Sequence, residues 1–291
     1  MAAGKLYSIP GSGQYVAALE HGIERLKTLP LSLRLVRELH EKLMAGVRGG
    51  QATPGEFRGA QNWIGPPGAT LNQASYVPPP AEALADQLAN WERFLHNRTQ
   101  PPLIHAALAH YQFEAIHPFL DGNGRVGRLL ITLLLDEREI LPAPLLYLSA
   151  FFEATRTDYH AHLRNVTELA DWEGWLQYFL NGVARQSEDA LNRAERLNEL
   201  LEQWRIKLAG IPNTQVALRL IACLGANPFV TPRGAEGHLG LAYNTVMRAI
   251  RQLQERKILS LVSEVKRGRV FCARPLLDIL EEPARLTPGR L

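Results

Sequence analysis

The segment HPFLDGNGRVGR, residues 117–128, concentrates the residue types that handle phosphate chemistry. Its twelve positions hold one histidine, one aspartate, two arginines and three glycines. A glycine-rich turn that leads into a helix exposes backbone N–H groups, and the helix N-terminus carries partial positive charge, so the segment predicts an anion site. His117, four residues before Asp121, is a candidate general base beside that site.

The other charged side chains of this segment suit the same anion. Arg125 and Arg128 lie about one helical turn apart, and the guanidinium fork donates paired hydrogen bonds to phosphate oxygens. Asp121 repels phosphate itself but can hold a Mg²⁺ ion that binds phosphates. The pattern therefore indicates a base, a metal ligand, a phosphate cradle and a phosphate clamp within one short stretch.

Two other interpretations of the segment carry less weight. Gly122, Gly124 and Gly127 match the G-x-G-x-x-G spacing of dinucleotide-binding proteins, but that motif follows a strand, and the preceding HAALAHYQFEAI has a helical pattern. Each element alone also has an ordinary structural explanation, since a histidine can cap a helix and Gly-Asn-Gly is a common turn. The combination of all these elements favours a functional site.

The segment resembles the Fic family motif, H-x-F-x-[DE]-G-N-G-R-x-x-R, at every fixed position, and PGEFRGAQNWIG, HYQFEAIHPF, LLYLSAFF and DWEGWLQYFL extend the similarity over about residues 14–275. The resemblance implies a protein adenylyltransferase that moves AMP from ATP, with Mg²⁺, to a Ser, Thr or Tyr hydroxyl of a target protein. It implies that His117 is the general base, that Phe119 anchors the loop inward and that Asp121 binds Mg²⁺. The residues that it assigns to the nucleotide are Gly122, Asn123 and Gly124 as anion hole, Gly127 as a further nucleotide-binding residue, Arg125 and Arg128 as phosphate ligands, and Tyr159 as an adenine-pocket residue.

Helical periodicity dominates the rest of the chain, so the predicted fold is mostly α. We expect a Fic-type helical bundle with a small β-hairpin flap at residues 57–77, followed by a C-terminal winged helix-turn-helix domain. The predicted parts are an N-terminal helical region over 1–50, the Fic core over 51–210, the winged helix over 214–275 and a tail over 276–291. By the resemblance, the protein substrate docks on the flap by strand addition.

The predicted winged helix carries most of the positive charge. Residues 214–274 hold ten Lys or Arg and three Asp or Glu, whereas the whole chain has a formal charge of +3. This asymmetry fits DNA contact through Asn244–Arg251 and the wing tip at 266–269. The alternative function is therefore a DNA-binding regulator, or a toxin-like module, in which the Fic core is secondary.

Composition and patterning limit location and partners. The two cysteines lack metal-site spacing, the N-terminal residues lack a signal-peptide pattern, and no apolar run is long enough to cross a membrane, so we expect a cytoplasmic protein without membrane contact. The stripe Leu197, Leu200, Leu201 and Trp204 suits core packing, or else a homodimer seam.

Many Fic proteins silence themselves with a helix of pattern [ST]-x-x-x-E-[GN], whose glutamate pairs with the second motif arginine. In this sequence glutamate precedes glycine at 173 and 236, with Leu169 and Pro232 four positions earlier, so the printed sequence holds no match. We therefore expect Arg128 to be available to ATP without an activating substitution.

Overall fold

The computed structural model describes residues 12–46, 53–66, 68–140, 146–265 and 268–282. These residues form twelve α-helices and one three-stranded antiparallel sheet, which confirms a mostly α fold. The chain divides into two compact units, residues 4–186 and residues 187–287, named the N-terminal and C-terminal units below. The division falls inside one continuous helix, whereas the sequence predicted a boundary near residue 210. Along the described residues, no helix has the length and apolar character needed to cross a membrane.

The N-terminal unit is built from helices. They are α1 (Ser12–Leu26), α2 (Leu33–Met44), α3 (Leu84–Leu95), α4 (Pro102–Ile116), α5 (Asn123–Glu137), α6 (Leu148–Ala154), α7 (Arg156–Leu169) and the first part of α8 (Trp172–Leu208). The Ser32 side chain accepts the Leu35 N–H and caps α2, a position that serine favours. Helix α4 packs between α3 and α5. The indoles of Trp91 and Trp175 donate to its carbonyls, so the helix that leads to His117 is fixed in the core.

The flap differs from the predicted hairpin. Within residues 57–77, a single antiparallel bridge joins Ile64 to Tyr76, and a 3₁₀ turn spans Leu71–Gln73. A second 3₁₀ turn, Ala81–Ala83, leads into α3. A longer ladder is blocked because Pro66 and Pro78, two residues beyond the bridge on each side, have no N–H to donate. The described flap is therefore a loop closed by one bridge rather than a two-stranded hairpin.

The C-terminal unit continues from α8 as α9 (Gln215–Ala226), β1 (Phe229–Val230), α10 (Pro232–Leu239), α11 (Tyr243–Glu255), β2 (Ser260–Val265), β3 (Gly268–Cys272) and α12 (Arg274–Glu281). The sheet order is β1-β3-β2, with both pairs antiparallel. This element order is the one that the winged-helix prediction requires, although the assignment itself stays a prediction. Of the predicted wing tip, residues 266 and 267 lie outside the described residues.

Apolar packing explains two features of this unit. Trp204 is buried in its core, with Leu197, Leu200 and Leu201 packed against the same cluster, so the α8 stripe serves core packing. Helix α12 takes up part of the predicted tail. It forms because its apolar residues reach that core, and because Arg193 on α8 donates to the carbonyls at the α12 C-terminus.

Candidate functional site

His117 lies at the point where α4 ends. Its backbone is left-handed, with φ 49 and ψ 61, and its N–H donates to Phe113 O at 3.0 Å. This conformation turns the chain sharply away from the helix axis, and a residue other than glycine adopts it only when neighbours hold it there. The ring is largely enclosed near the Glu114 backbone, and within the described residues Nδ1 meets no partner in good hydrogen-bond geometry. Burial lowers the pKa of His117 to about 4, so the ring is neutral at pH 7, the form that a general base requires.

Asn123 closes the loop between His117 and α5. Its Oδ1 accepts the Phe119 N–H at 2.8 Å, and its Nδ2 donates to Phe119 O at 2.7 Å. Phe119 is fully buried, inside the protein as the resemblance implies. Because the Asn123 amide is occupied in this way, only the Asn123 backbone can serve an anion hole.

His40, on α2, is a site residue that the sequence did not reveal. Its ring stacks on Phe119 with centroids 3.8 Å apart, and its Nε2 lies 3.0 Å from Asp121 O. Nδ1 accepts the Gly55 N–H at 2.9 Å, which leaves the proton on Nε2 to donate to Asp121. The one available signal was a polar residue on the buried face of amphipathic α2. A β-carbon at Gly122, where φ is +82, would lie 3.1 Å from Met44 Sδ and 3.3 Å from the His40 ring, so this turn needs glycine.

The end of the segment that is expected to bind phosphate faces outward. Helix α5 begins at Asn123, and its first backbone N–H groups have no acceptor within the helix. The Asp121 side chain is 64% exposed, and its Oδ1 accepts the Gly122 N–H at 2.6 Å. Asp121 Oδ2 lies 3.9 Å from Arg125 Nη2, and the Arg125 side chain is 35% exposed. A helix N-terminus, a cation and a carboxylate therefore share one accessible end.

Asp121 is the candidate metal ligand at this end. The described part of the chain contains no group of three or more His, Cys, Asp or Glu side chains that could form a metal cage. Mg²⁺ at nucleotide sites needs one or two carboxylates, with waters and phosphate oxygens supplying the rest. An exposed carboxylate beside a helix N-terminus fits that kind of site, and does not fit a site built from protein ligands alone.

Glu114, on α4, lies beneath the start of α5. A β-carbon at Gly127 would come 2.3 Å from Glu114 Oε1, and one at Gly124 would lie 3.2 Å from Arg128 Nη1 and 4.0 Å from the same Oε1. Oε1 is buried, and no hydrogen-bond partner for it lies among the residues that the structure describes. Burial raises the pKa of Glu114 to about 7, although the charge of Arg128 opposes the shift. Arg128 thus has an internal carboxyl group nearby, outside the inhibitory pattern sought in the sequence.

Tyr159, the residue expected in the adenine pocket, lies in the aromatic core of the N-terminal unit. Its side chain is 5% exposed, and its hydroxyl lies 2.8 Å from His110 Nε2. The ring packs among other aromatic rings, with Phe152 and Trp175 at centroid distances of 4.8 and 6.2 Å. Tyr159 therefore packs as a core residue, and its contact with adenine stays a prediction. It supports α5 indirectly, because His110 Nδ1 contacts Gly127 O at 3.1 Å.

The order of motif and helices in this unit matches a known family. The Fic/DOC family model matches residues 30–135. These residues are named the Fic domain below, after the family model that they match. The domain covers α2 to α5 and contains His117, Asp121 and both motif arginines.

Relatives resemble the Fic domain more than the rest of the chain. The protein adenylyltransferase Fic of Drosophila yakuba is 36% identical over 113 residues, which is 38% of this chain and 21% of that protein. The protein adenylyltransferase fic-1 of Caenorhabditis briggsae is 30% identical over 169 residues, which is 56% of this chain and 28% of that protein. The matched part is therefore less than a third of each relative's length.

One solved structure resembles the whole chain in fold. The crystal structure of a Fic family protein from Desulfovibrio desulfuricans G20 covers 98% of this chain and 79% of its own, with a TM-score of 0.53 and 21% identity. At this identity, the likeness supports the fold of the chain and says nothing of its substrate.

Proposed function

We propose that the Fic domain transfers AMP from ATP to a hydroxyl group of a protein and releases pyrophosphate. One observation carries the proposal. A single segment presents a neutral, half-buried histidine at one end and an exposed helix N-terminus with Asp121 and Arg125 at the other. The relatives named protein adenylyltransferase match this chain over the same domain.

The proposed step moves one proton and exchanges one phosphorus–oxygen bond. The hydroxyl oxygen of Ser, Thr or Tyr attacks the α-phosphorus, and the bond from that phosphorus to the α,β-bridging oxygen breaks. His117 accepts the hydroxyl proton. Because its pKa lies near 4, the ring is free to accept a proton at neutral pH.

The remaining residues of the segment bind and orient the nucleotide. Backbone N–H groups at Gly122, Asn123 and Gly124 and the guanidinium of Arg125 neutralise phosphate charge, and Arg128 takes the γ-phosphate. Asp121 would hold Mg²⁺, which when bound supplies further positive charge to the phosphates. Nearly all of the catalysis then comes from positioning and charge, as in phosphoryl transfer generally.

We further propose that the protein substrate docks along the flap at residues 57–77. An extended segment can add to a short bridge such as Ile64–Tyr76 through main-chain hydrogen bonds. The Tyr76 hydroxyl donates to Ala115 O at 2.7 Å, so the flap is tied directly to the last turn of α4, beside His117.

The test is label transfer by the purified chain, with the chain itself as the first acceptor offered. ATP labelled at the α-phosphate should give labelled protein, and ATP labelled only at the γ-phosphate should not. Gly124, with no side chain, leaves room for the orientation that presents the α-phosphorus. If only γ-labelled ATP gave labelled protein, the activity would be phosphorylation and not adenylyl transfer. No label from either, with any protein substrate offered, would remove the proposal.

A further inference from the structure

Arg58 is a buried cation at the base of the flap. Its residue is 3% exposed, and burial lowers the pKa of its guanidinium from the usual value, although arginine remains charged. Among the described residues, no carboxylate forms an ion pair with it. A buried charge of this kind is costly unless other groups satisfy it. Its partners are backbone carbonyls.

Two of those carbonyls end α4. Arg58 Nε donates to His117 O at 3.0 Å, and Nη2 lies 3.4 Å from Ile116 O. The C-terminal carbonyls of a helix lack intrahelical donors and carry partial negative charge, so a cation is stabilised there. The backbone N–H of Arg58 also donates to Pro118 O at 2.9 Å. One residue therefore holds three consecutive carbonyls centred on His117.

The other donors of the same guanidinium reach the flap. Nη1 donates to Ala60 O at 3.2 Å, and Nη2 donates to Pro79 O. Ala60 and Pro79 flank the bridged part of the flap on its two sides. The planar fork of arginine can serve both groups of carbonyls together, which the single ammonium of lysine cannot do.

We propose that Arg58 is a positioning residue for His117, and that it links the flap to the general base. This inference rests on the proposed function. The left-handed backbone of His117 needs neighbours to hold it, and Arg58 supplies them through the His117 carbonyl rather than through the ring. The nucleotide cradle starts at Asp121 and has no contact with the Arg58 guanidinium among those described.

The variant that tests the role is Arg58→Lys, which keeps the charge and removes the fork. Arg138→Lys is the matched control, because Arg138 Nη2 also donates to backbone carbonyls, Asn97 O at 2.9 Å and Leu95 O at 3.5 Å, away from the catalytic loop. Circular dichroism establishes that both variants are folded. The dissociation constant for ATP is measured separately from kcat for label transfer.

Arg58→Lys should lower kcat by roughly 10- to 100-fold, since small misplacement of a reacting group costs that much, while the dissociation constant for ATP stays within about twofold. Arg138→Lys should change neither quantity. Wild-type kcat in Arg58→Lys would overturn the proposal, as would a parallel loss of ATP affinity and kcat in the folded variant. A variant that does not fold would show that Arg58 is required for stability and would also count against a specific positioning role.

Histidine ring NMR separates this inference from the proposed function. The His117 signal is the one that disappears in His117→Ala. It should move or broaden in Arg58→Lys and stay unchanged in Arg138→Lys, whether or not the chain transfers label. If the wild type transfers nothing but the signal moves, the proposed function fails and the positioning role stands. An unmoved signal overturns the positioning role.

Discussion

His117 and Asp121 lie four residues apart, yet their surroundings are opposite. The histidine ring is enclosed and its backbone is held by α4 and Arg58, whereas the Asp121 carboxylate is mostly exposed to water. Proton transfer depends on a fixed position and a shifted pKa, and both require packing. Charge attraction to a phosphate acts over a longer range and tolerates hydration until the ligand arrives. The same segment therefore has a rigid buried end and an open charged end.

Glu114 belongs to the buried end although it faces Arg128. Its pKa is raised to about 7, and it lies near Arg128. The sequence contains no glutamate in the inhibitory pattern that would pair with this arginine. Below that pH the group is neutral and competes little with phosphate for Arg128. The protonation of Glu114 can thus change how readily Arg128 binds phosphate.

The largest effect should come from His117→Ala. Removal of the base should lower label transfer by about 10²- to 10⁴-fold, because the hydroxyl proton then has no acceptor. The dissociation constant for ATP should change little, since the cradle begins at Asp121. His96→Ala, at the exposed end of α3, is the control and should transfer label normally. If His117→Ala lost ATP affinity and label transfer to the same extent, His117 would take part in nucleotide binding and the two ends would not have separate roles.

Glu114→Gln should stabilise the fold at alkaline pH. The pKa of the carboxyl is 4.5 when unfolded and about 7 when folded, so the stability it contributes is complete below pH 4.5 and is lost as pH rises through 7. The loss is on the order of 3 kcal/mol at pH 9, and glutamine, which does not ionise, should avoid it.

Denaturant unfolding of the wild type and of Glu114→Gln at pH 5 and pH 9 measures this difference in the free energy of unfolding, because the loss falls between pH 4.5 and pH 7. His110 and His117, whose pKa values are lowered by burial to about 3 and about 4, are present in both chains, so their contribution cancels from the comparison. Glu24→Gln, in an exposed ion pair with Lys27, is the control and should leave the pH dependence of the wild type unchanged. If wild type and Glu114→Gln differ by the same free energy of unfolding at both pH values, Glu114 ionises freely and belongs with the exposed end.

Asp121→Asn should weaken nucleotide binding without loss of fold. With the carboxylate charge gone, the Mg²⁺ concentration needed for half-maximal ATP binding should rise roughly tenfold, the scale on which a change at one side chain of a metal site weakens metal affinity. The free energy of unfolding should hardly change, because the side chain is exposed. Asp86→Asn, on the exposed face of α3, is the matched control. A magnesium titration of Asp121→Asn that matches the wild type would show that Asp121 is not a Mg²⁺ ligand.

The smallest effect concerns the C-terminal unit, where DNA contact stays a prediction. Arg248 and Arg251 lie on the exposed face of α11, and removal of one arginine that binds a DNA phosphate should reduce the salt slope of DNA affinity by about one. Gel shifts over a salt series compare Arg248→Ala with Arg205→Ala, an exposed residue of α8. If no duplex binds at low salt, exposed charge in this unit serves another purpose.

Local pattern predicted much of this protein. The spacing in residues 117–128 indicated a phosphate site, and the structure brings a helix N-terminus, Asp121 and Arg125 together at one accessible end of that segment. Features that depend on direction or on distance along the chain could not be predicted. The side chain of Tyr159 points into the core because packing orients α7, which no short motif determines. The ring of His40 meets Asp121 across 81 residues of sequence, and the flap is shorter than predicted because prolines limit its ladder.

The contact between His40 and Asp121 also bears on how the site forms during folding. It closes a loop of 81 residues, and Leu31 N–H reaches the Glu137 carboxylate across 106. Contacts between residues so distant in sequence carry a large loop-closure cost and form late. The motif residues 117–128 would therefore all be present in a folding chain before these contacts held them in position for a nucleotide. The site should therefore be complete only when α2 and α5 have met.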